Sequence, residues 1–159
     1  MGFYYAERGG QMHDEECRDN HLSLSESIAS VLLLGLGMFT VSRGIFWILH
    51  PHNTNDSQLY ASLDSVMSLS FWGIFFFVGG LFLVLSSWFL PRRHTKKRFA
   101  FTLLLGGGIS SASYFIVAIA GFGNSINWLT PTQLIILSMT TLMLAFFGGT
   151  MLWQKKSMY

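Results

Sequence analysis

The chain has 159 residues, of which 51% are hydrophobic, 16% aromatic and only 11% charged. An average soluble domain carries about 25% charged residues, so this composition cannot supply the polar surface of a water-soluble domain of this size. The lone cysteine, Cys17, excludes an intramolecular disulfide framework.

Residues 1–26 are polar and lean acidic, with Glu7, Asp14, Glu15, Glu16, Asp19 and Glu26 set against Arg8 and Arg18. They form the first unit, a cytoplasmic tail with few apolar residues to dock and hence expected to be mobile. No apolar signal-peptide core is visible in this tail. The peptide Glu7-Arg8-Gly9-Gly10-Gln11 is compatible with a purine-rich coding tract like a ribosome-binding site, which makes Met12 an alternative start to Met1. Ser23-Leu24-Ser25-Glu26 offers helix-cap chemistry just before the first apolar run.

Four apolar runs follow, at residues 27–49, 71–90, 99–122 and 132–153. Each reaches the roughly 20 residues that a helix needs to cross a hydrocarbon core of about 30 Å. Backbone polar groups in lipid must pair within their own segment, so runs of this length are helices rather than barrel strands. The predicted fold is therefore all-α: a single-domain, polytopic membrane protein with four transmembrane helices over 27–153, ending in a short basic tail at 154–159.

Between the second and third runs lies Pro91-Arg92-Arg93-His94-Thr95-Lys96-Lys97-Arg98. Arg92, Arg93, Lys96, Lys97 and Arg98 are half of the chain's ten Lys and Arg residues. The loops at 50–70 and 123–131 contain no Lys or Arg, whereas the C-terminal tail holds Lys155 and Lys156. Basic residues accumulate on the cytoplasmic side of membrane proteins. The pattern predicts both termini and the middle loop in the cytoplasm, in a cell membrane. Trp47, Trp72 and Trp128 are then expected near the outer interface, and Trp88 and Trp153 near the inner one, as aromatic belts. A basic block confined to a short loop does not form a nucleic-acid-binding face.

A candidate internal repeat relates the two hairpins. At an offset of 71, Leu32, Leu33, Leu34, Gly35 and Gly37 meet Leu103, Leu104, Leu105, Gly106 and Gly108. Phe77-Val78-Gly79-Gly80 meets Phe146-Phe147-Gly148-Gly149 at an offset of 69. Two such hairpins would be parallel repeats about an axis along the membrane normal.

Small residues cluster in the third run, at Gly106, Gly107, Gly108, Ser110, Ser111 and Ser113. Such surfaces let helices approach closely in lipid; they form either an internal packing face or an oligomer face. Arg43 is the only formal charge well inside an apolar run. It is expected to snorkel to the surface or to pair with Asp64 or Asp56. Residues 58–70 carry Leu59, Leu63, Val66, Met67 and Ser70 at helical spacing, with Asp64 off that stripe, as in a short interfacial helix. His50-Pro51-His52 with Asp56 is a weak metal set, without a nearby third strong ligand. No histidine lies inside an apolar run to bind haem, no acidic residue is placed there for proton coupling, and no nucleophile or phosphate-loop motif is present. Neither catalytic residues nor a cofactor are expected.

The stretch from Tyr60 to Gly80, with Leu63, Phe71-Trp72-Gly73 and Gly79-Gly80, and the turn Trp128-Leu129-Thr130-Pro131, resemble parts of small four-helix membrane proteins encoded by phages, prophages and mobile elements of Gram-positive bacteria. The resemblance implies a non-enzymatic role at the membrane, such as altering the envelope during infection or excluding a second phage. The short C-terminal tail and four spans depart from a typical holin. The expected function is that of a subunit, anchor or exclusion factor acting through contacts with its own copies or another membrane protein. A holin-like oligomeric pore is the alternative, and a small-molecule carrier stands behind it.

Overall fold

The structure is a computed structural model and describes residues 24–50, 63–65, 67–90, 96–124 and 128–156. Four helices account for nearly all of them: α1 Leu24–Leu49, α2 Leu69–Phe89, α3 Lys96–Asn124 and α4 Leu129–Lys156. They contain 26, 21, 29 and 28 residues. All four are long and apolar enough to cross a membrane. The protein is an all-α, four-span chain, and no strand occurs among the described residues. Each expected span lies inside an observed helix to within three or four residues, except that α2 ends at Phe89.

The helix ends follow from local chemistry. Glu26 lies in the first turn of α1, where a negative charge suits the helix dipole. Ser68 makes no side-chain cap at the start of α2. Asp64 caps it instead, accepting a hydrogen bond from the Leu69 N–H at 3.2 Å. Pro131 falls in the first turn of α4, where its missing N–H costs nothing, and it is fully buried.

Close backbone contacts link chain neighbours: α1 with α2, α2 with α3, and α3 with α4. Half of the apolar window of α3 and 44% of that of α2 are buried, against 28% for α1 and for α4. Thus α2 and α3 each serve two neighbours, and α1 and α4 are the flanks.

Glycines set these contacts. On α1, Gly37 and Gly44 are seven residues apart; on α2, so are Gly73 and Gly80. A seven-residue step returns to nearly the same helix face. The two pairs meet antiparallel: a Cβ on Gly44 would lie 2.7 Å from the Gly73 carbonyl oxygen, and one on Gly80 would lie 2.9 Å from that of Gly37. Adjacent glycines on the central helices serve opposite neighbours, because successive helical residues point about 100° apart. Gly80 faces α1 while Gly79 faces Ser110 on α3; Gly106 faces Leu83 on α2 while Gly107 faces Thr141 and Ala145 on α4. Gly148 of α4 closes the third seam against Ala100 and Leu104.

Serine clasps reinforce two of the seams. Ser30 and Ser87 each donate a hydrogen bond to the other's carbonyl, at 3.2 and 2.8 Å, joining α1 to α2. Ser138 donates to the Ser111 carbonyl at 3.0 Å, and the two hydroxyls lie 3.2 Å apart, joining α4 to α3. Ser87→Ala should lower stability in mild detergent by about 0.6 kcal/mol, the measured average for interhelical polar contacts in a membrane protein, and by no more than the measured maximum of about 1.7 kcal/mol. A melting temperature equal to that of wild type would show that the clasp contributes nothing.

The core has two parts. Toward the distal end, away from Lys97 and Arg98, Trp47, Leu63, Leu69, Trp72, Phe76, Tyr114, Val117, Ala118 and Leu134 form one buried cluster drawn from every helix. Toward the basic end, Leu33, Leu83 and Leu103 form a smaller one.

Several expectations are corrected here. Trp47 and Trp72 are 1% and 8% exposed, so they are core residues rather than members of an aromatic belt. Trp88, Trp128 and Trp153 are the exposed tryptophans, each 70% or more. Leu63 is buried as the amphipathic reading of 58–70 requires, but Met67 is exposed. The repeat alignment pairs glycines in unlike surroundings. Gly35 meets nothing within 4 Å whereas its counterpart Gly106 packs on α2, and Gly37 packs on α2 whereas its counterpart Gly108 meets nothing. The tail 1–23, His52, Asp56, Arg92, Arg93 and residues 157–159 lie outside the described residues.

Candidate functional site

The small-residue face of α3 is occupied within the chain. Gly106 and Ser110 meet α2, Gly107 and Ser111 meet α4, and Ser113 is buried with its hydroxyl donating to the Ile109 carbonyl of its own helix at 2.9 Å. Of the six residues, Gly108 alone has open space at its Cβ position. For the other five, the contacts are those of the internal-packing alternative. A central helix needs small residues on two sides, and both neighbours come from the same chain.

The distal half of the bundle contains the arrangement with the most distinctive chemistry. On α1, Thr40, Arg43 and Trp47 lie at a spacing of three and four residues, along one helix face. The Arg43 Cζ sits 5.5 Å from the ring centre of Trp47, 5.8 Å from that of Phe76 on α2 and 5.9 Å from that of Tyr114 on α3. All three distances fall within the reach of a cation–π attraction. The rings brace one another: Trp47 stands edge-on to Phe76 at 5.2 Å, and Phe76 edge-on to Tyr114 at 4.9 Å. Tyr114 and Phe76 are fully buried, and Arg43 is partly exposed.

Magnitudes favour keeping the charge here. An arginine at the centre of a membrane helix costs about 2.5–3.5 kcal/mol on insertion scales. A desolvated cation–π contact returns up to about 2 kcal/mol, and three rings share this cation. Arg43 also lies off centre, six residues before the end of α1 at Leu49, or about 9 Å along the axis.

The hydroxyl protons can be traced. Thr40 donates to the Leu36 carbonyl at 2.8 Å. Its single proton is then committed, so in the 3.0 Å contact between Thr40 and Tyr114 the tyrosine donates. The Tyr114 oxygen keeps a lone pair for the cation beside it. This contact also ties α1 to α3 across the bundle.

Asp64, one of the two acidic residues expected near Arg43, is exposed and caps α2 through Leu69, and the other, Asp56, lies outside the described residues. Aromatic faces from three helices lie against Arg43. His50 stacks on Phe46 with ring centres 5.1 Å apart. Among the described residues, no three His, Cys, Asp or Glu side chains come together as a metal site.

Among the described residues, three buried polar atoms have no hydrogen-bond partner: Trp72 Nε1, Ser86 Oγ and Ser110 Oγ. Trp72 and Ser86 lie one heptad either side of Gly79 on α2, and Gly79 faces Ser110. Thr40, Trp47, Phe76, Trp72 and Tyr114 were not singled out as a site by the sequence. The step of three and four from Thr40 through Arg43 to Trp47 was the available signal for α1. Phe76 and Tyr114 carry no comparable signal in so aromatic a chain.

No protein-family model matches the chain, and neither a curated protein nor a solved structure matches it.

Proposed function

We propose that this protein is a non-enzymatic membrane component that works by docking its helices against another membrane protein or a second copy of itself. The observation that carries this reading is the contrast among its glycines. Those at 37, 44, 73, 79, 80, 106, 107 and 148 are used at seams within the chain, whereas Gly35 and Gly108, near the middle of α1 and α3, have nothing within 4 Å of a Cβ position. A mid-helix glycine costs about 1 kcal/mol relative to alanine, and at these two positions no internal close approach offsets that cost. Glycine on a lipid-accessible surface is suited to close approach by a further helix. The resemblance to small membrane proteins of phages and mobile elements points the same way, toward a subunit, anchor or exclusion factor of the cell membrane.

Gly35→Leu and Gly108→Leu should reduce self-association or partner recovery on native gels in mild detergent, with the monomer's melting temperature unchanged or raised. A wild type that is strictly monomeric, with nothing co-purifying, would end this reading.

A second reading, the oligomeric pore, is favoured by the unpartnered hydroxyls of Ser86 and Ser110 in the α2–α3 seam. It requires wild-type protein in vesicles to release a small trapped dye. Tight vesicles at high protein loading would exclude it.

A further inference from the structure

We propose that the bundle works as two clasped hairpins, α1–α2 and α3–α4, which part along the α2–α3 seam and open it from the basic end. The central helices carry matching serine doublets, Ser86-Ser87 on α2 and Ser110-Ser111 on α3. Adjacent helical residues point about 100° apart, so each doublet serves two neighbours. One member of each is a clasp: Ser87 exchanges hydrogen bonds with Ser30 of α1, and Ser111 pairs with Ser138 of α4. The other member belongs to the central seam. Gly79, Leu83 and Ser86 follow one face of α2 at steps of four and three. Gly79 meets Ser110 on that face, and the Leu83 backbone meets Gly106.

Ser86 and Ser110 are fully buried, and neither hydroxyl has a partner. Every other buried serine or threonine hydroxyl among the described residues makes a hydrogen bond. A buried hydroxyl left unmet carries its desolvation cost in full. Water entering the central seam removes that cost at two points. Parting either outer seam breaks a clasp instead. The three seams therefore differ in kind: two hold their hydroxyls satisfied when closed, and the third satisfies them when open.

The same residues give the direction of opening. Ser86 lies three residues before the end of α2 at Phe89. Ser110 lies level with Gly79, about 10 Å deeper along the axis, at the middle of α3. One turn beyond Ser110, the Tyr114–Thr40 hydrogen bond ties α3 to α1 and so joins the two hairpins. The larger core cluster, drawn from every helix, lies at that distal end, and the smaller one lies at the basic end. The distal end is the hinge, and water reaches Ser86 before Ser110. Opening of this kind involves contacts within one chain and does not rest on docking to a partner.

Cysteine labelling of the full chain in phosphatidylcholine vesicles tests this, in a Cys17→Ser background that leaves one thiol per variant. The probe is a charged, water-soluble methanethiosulfonate present on both sides of the membrane. It reacts with the thiolate, and so reports where water reaches. Ser86→Cys should react faster than Ser110→Cys, and both at least about tenfold faster than Ala118→Cys, a buried position in the distal cluster. Adding Ser110→Ala removes an unmet hydroxyl from the closed seam and should slow labelling of Ser86→Cys about tenfold. Ser110→Ala alone should raise the melting temperature in mild detergent, a reading that needs no cysteine variant to fold. Labelling of Ser86→Cys and Ser110→Cys at the Ala118→Cys rate overturns the proposal. Fast labelling that Ser110→Ala leaves unchanged, with no rise in melting temperature, overturns it too, because the unmet hydroxyls would then not favour opening.

Discussion

Gly107→Leu should unseat α4 from α3, whereas Gly108→Leu, one residue along, should leave the fold intact. A Cβ on Gly107 would lie 2.6 Å from the Thr141 carbonyl oxygen and 2.7 Å from the Ala145 nitrogen. Both obstacles are backbone, so no rotamer change relieves them and the helices must move apart. Overpacking costs typically about 1–3 kcal/mol. Here separation also stretches the Ser111–Ser138 clasp, and the loss should reach the top of that range or exceed it. At Gly108 the added side chain meets open space and gains helix propensity of up to about 1 kcal/mol. Thermal unfolding of both variants in the same mild detergent is the measurement. A Gly107→Leu protein melting with the wild type would mean that this seam is not the one described. The pair also divides fold from assembly: Gly107→Leu should lower monomer stability, and Gly108→Leu should act on association alone.

The spans were legible because lipid imposes one rule on every residue. Runs such as 71–90 contain no charge, and the helices found are those runs with a few residues added. Seam glycines were legible as a class but not by partner. Whether Gly106 faces a neighbour in the same chain or in another copy depends on where α2 and α4 sit around α3, and an apolar helix carries no polar face from which to read that. The doublets Gly79-Gly80 and Gly106-Gly107 held usable information: two adjacent small residues point about 100° apart, which suits a helix with neighbours on two sides. The tryptophans misled for a related reason. Sequence position placed Trp47 and Trp72 near helix ends, where belts occur, but the heptad contact of Gly44 with Gly73 brings the two helices close and draws both rings inward. Arg43 was visible as an anomaly. Its surroundings were not, because Phe76 and Tyr114 come from helices whose rotation only packing fixes.

Replacing Arg92, Arg93, Lys96, Lys97 and Arg98 together with glutamine should give a chain that inserts in both orientations. The described part of this block shows why its charge is not there for local helix stability. Lys96, Lys97 and Arg98 open α3, whose first turn has no acidic residue, and a positive charge at a helix N-terminus is unfavourable by about 0.3–1 kcal/mol. The cytoplasmic orientation expected from the Lys and Arg distribution would supply the compensating reason. Carrying one positive charge outward against an inside-negative potential of 100 mV costs about 2.3 kcal/mol, so five such charges oppose inversion by roughly 10 kcal/mol or more. After neutralisation, Lys155 and Lys156 remain, along with Arg8 and Arg18, while the loops at 50–70 and 123–131 still offer no competing Lys or Arg. The bias should therefore weaken rather than reverse. Moving the five residues into 123–131 should reverse it. A phosphatase reporter that is active only outside the cytoplasm, fused after Tyr159, should be silent in wild type, partly active in the neutralised chain and fully active in the transplanted one. Activity in the wild-type fusion would refute a cytoplasmic C-terminus, and silence in all three would show that something other than the basic loop holds the orientation.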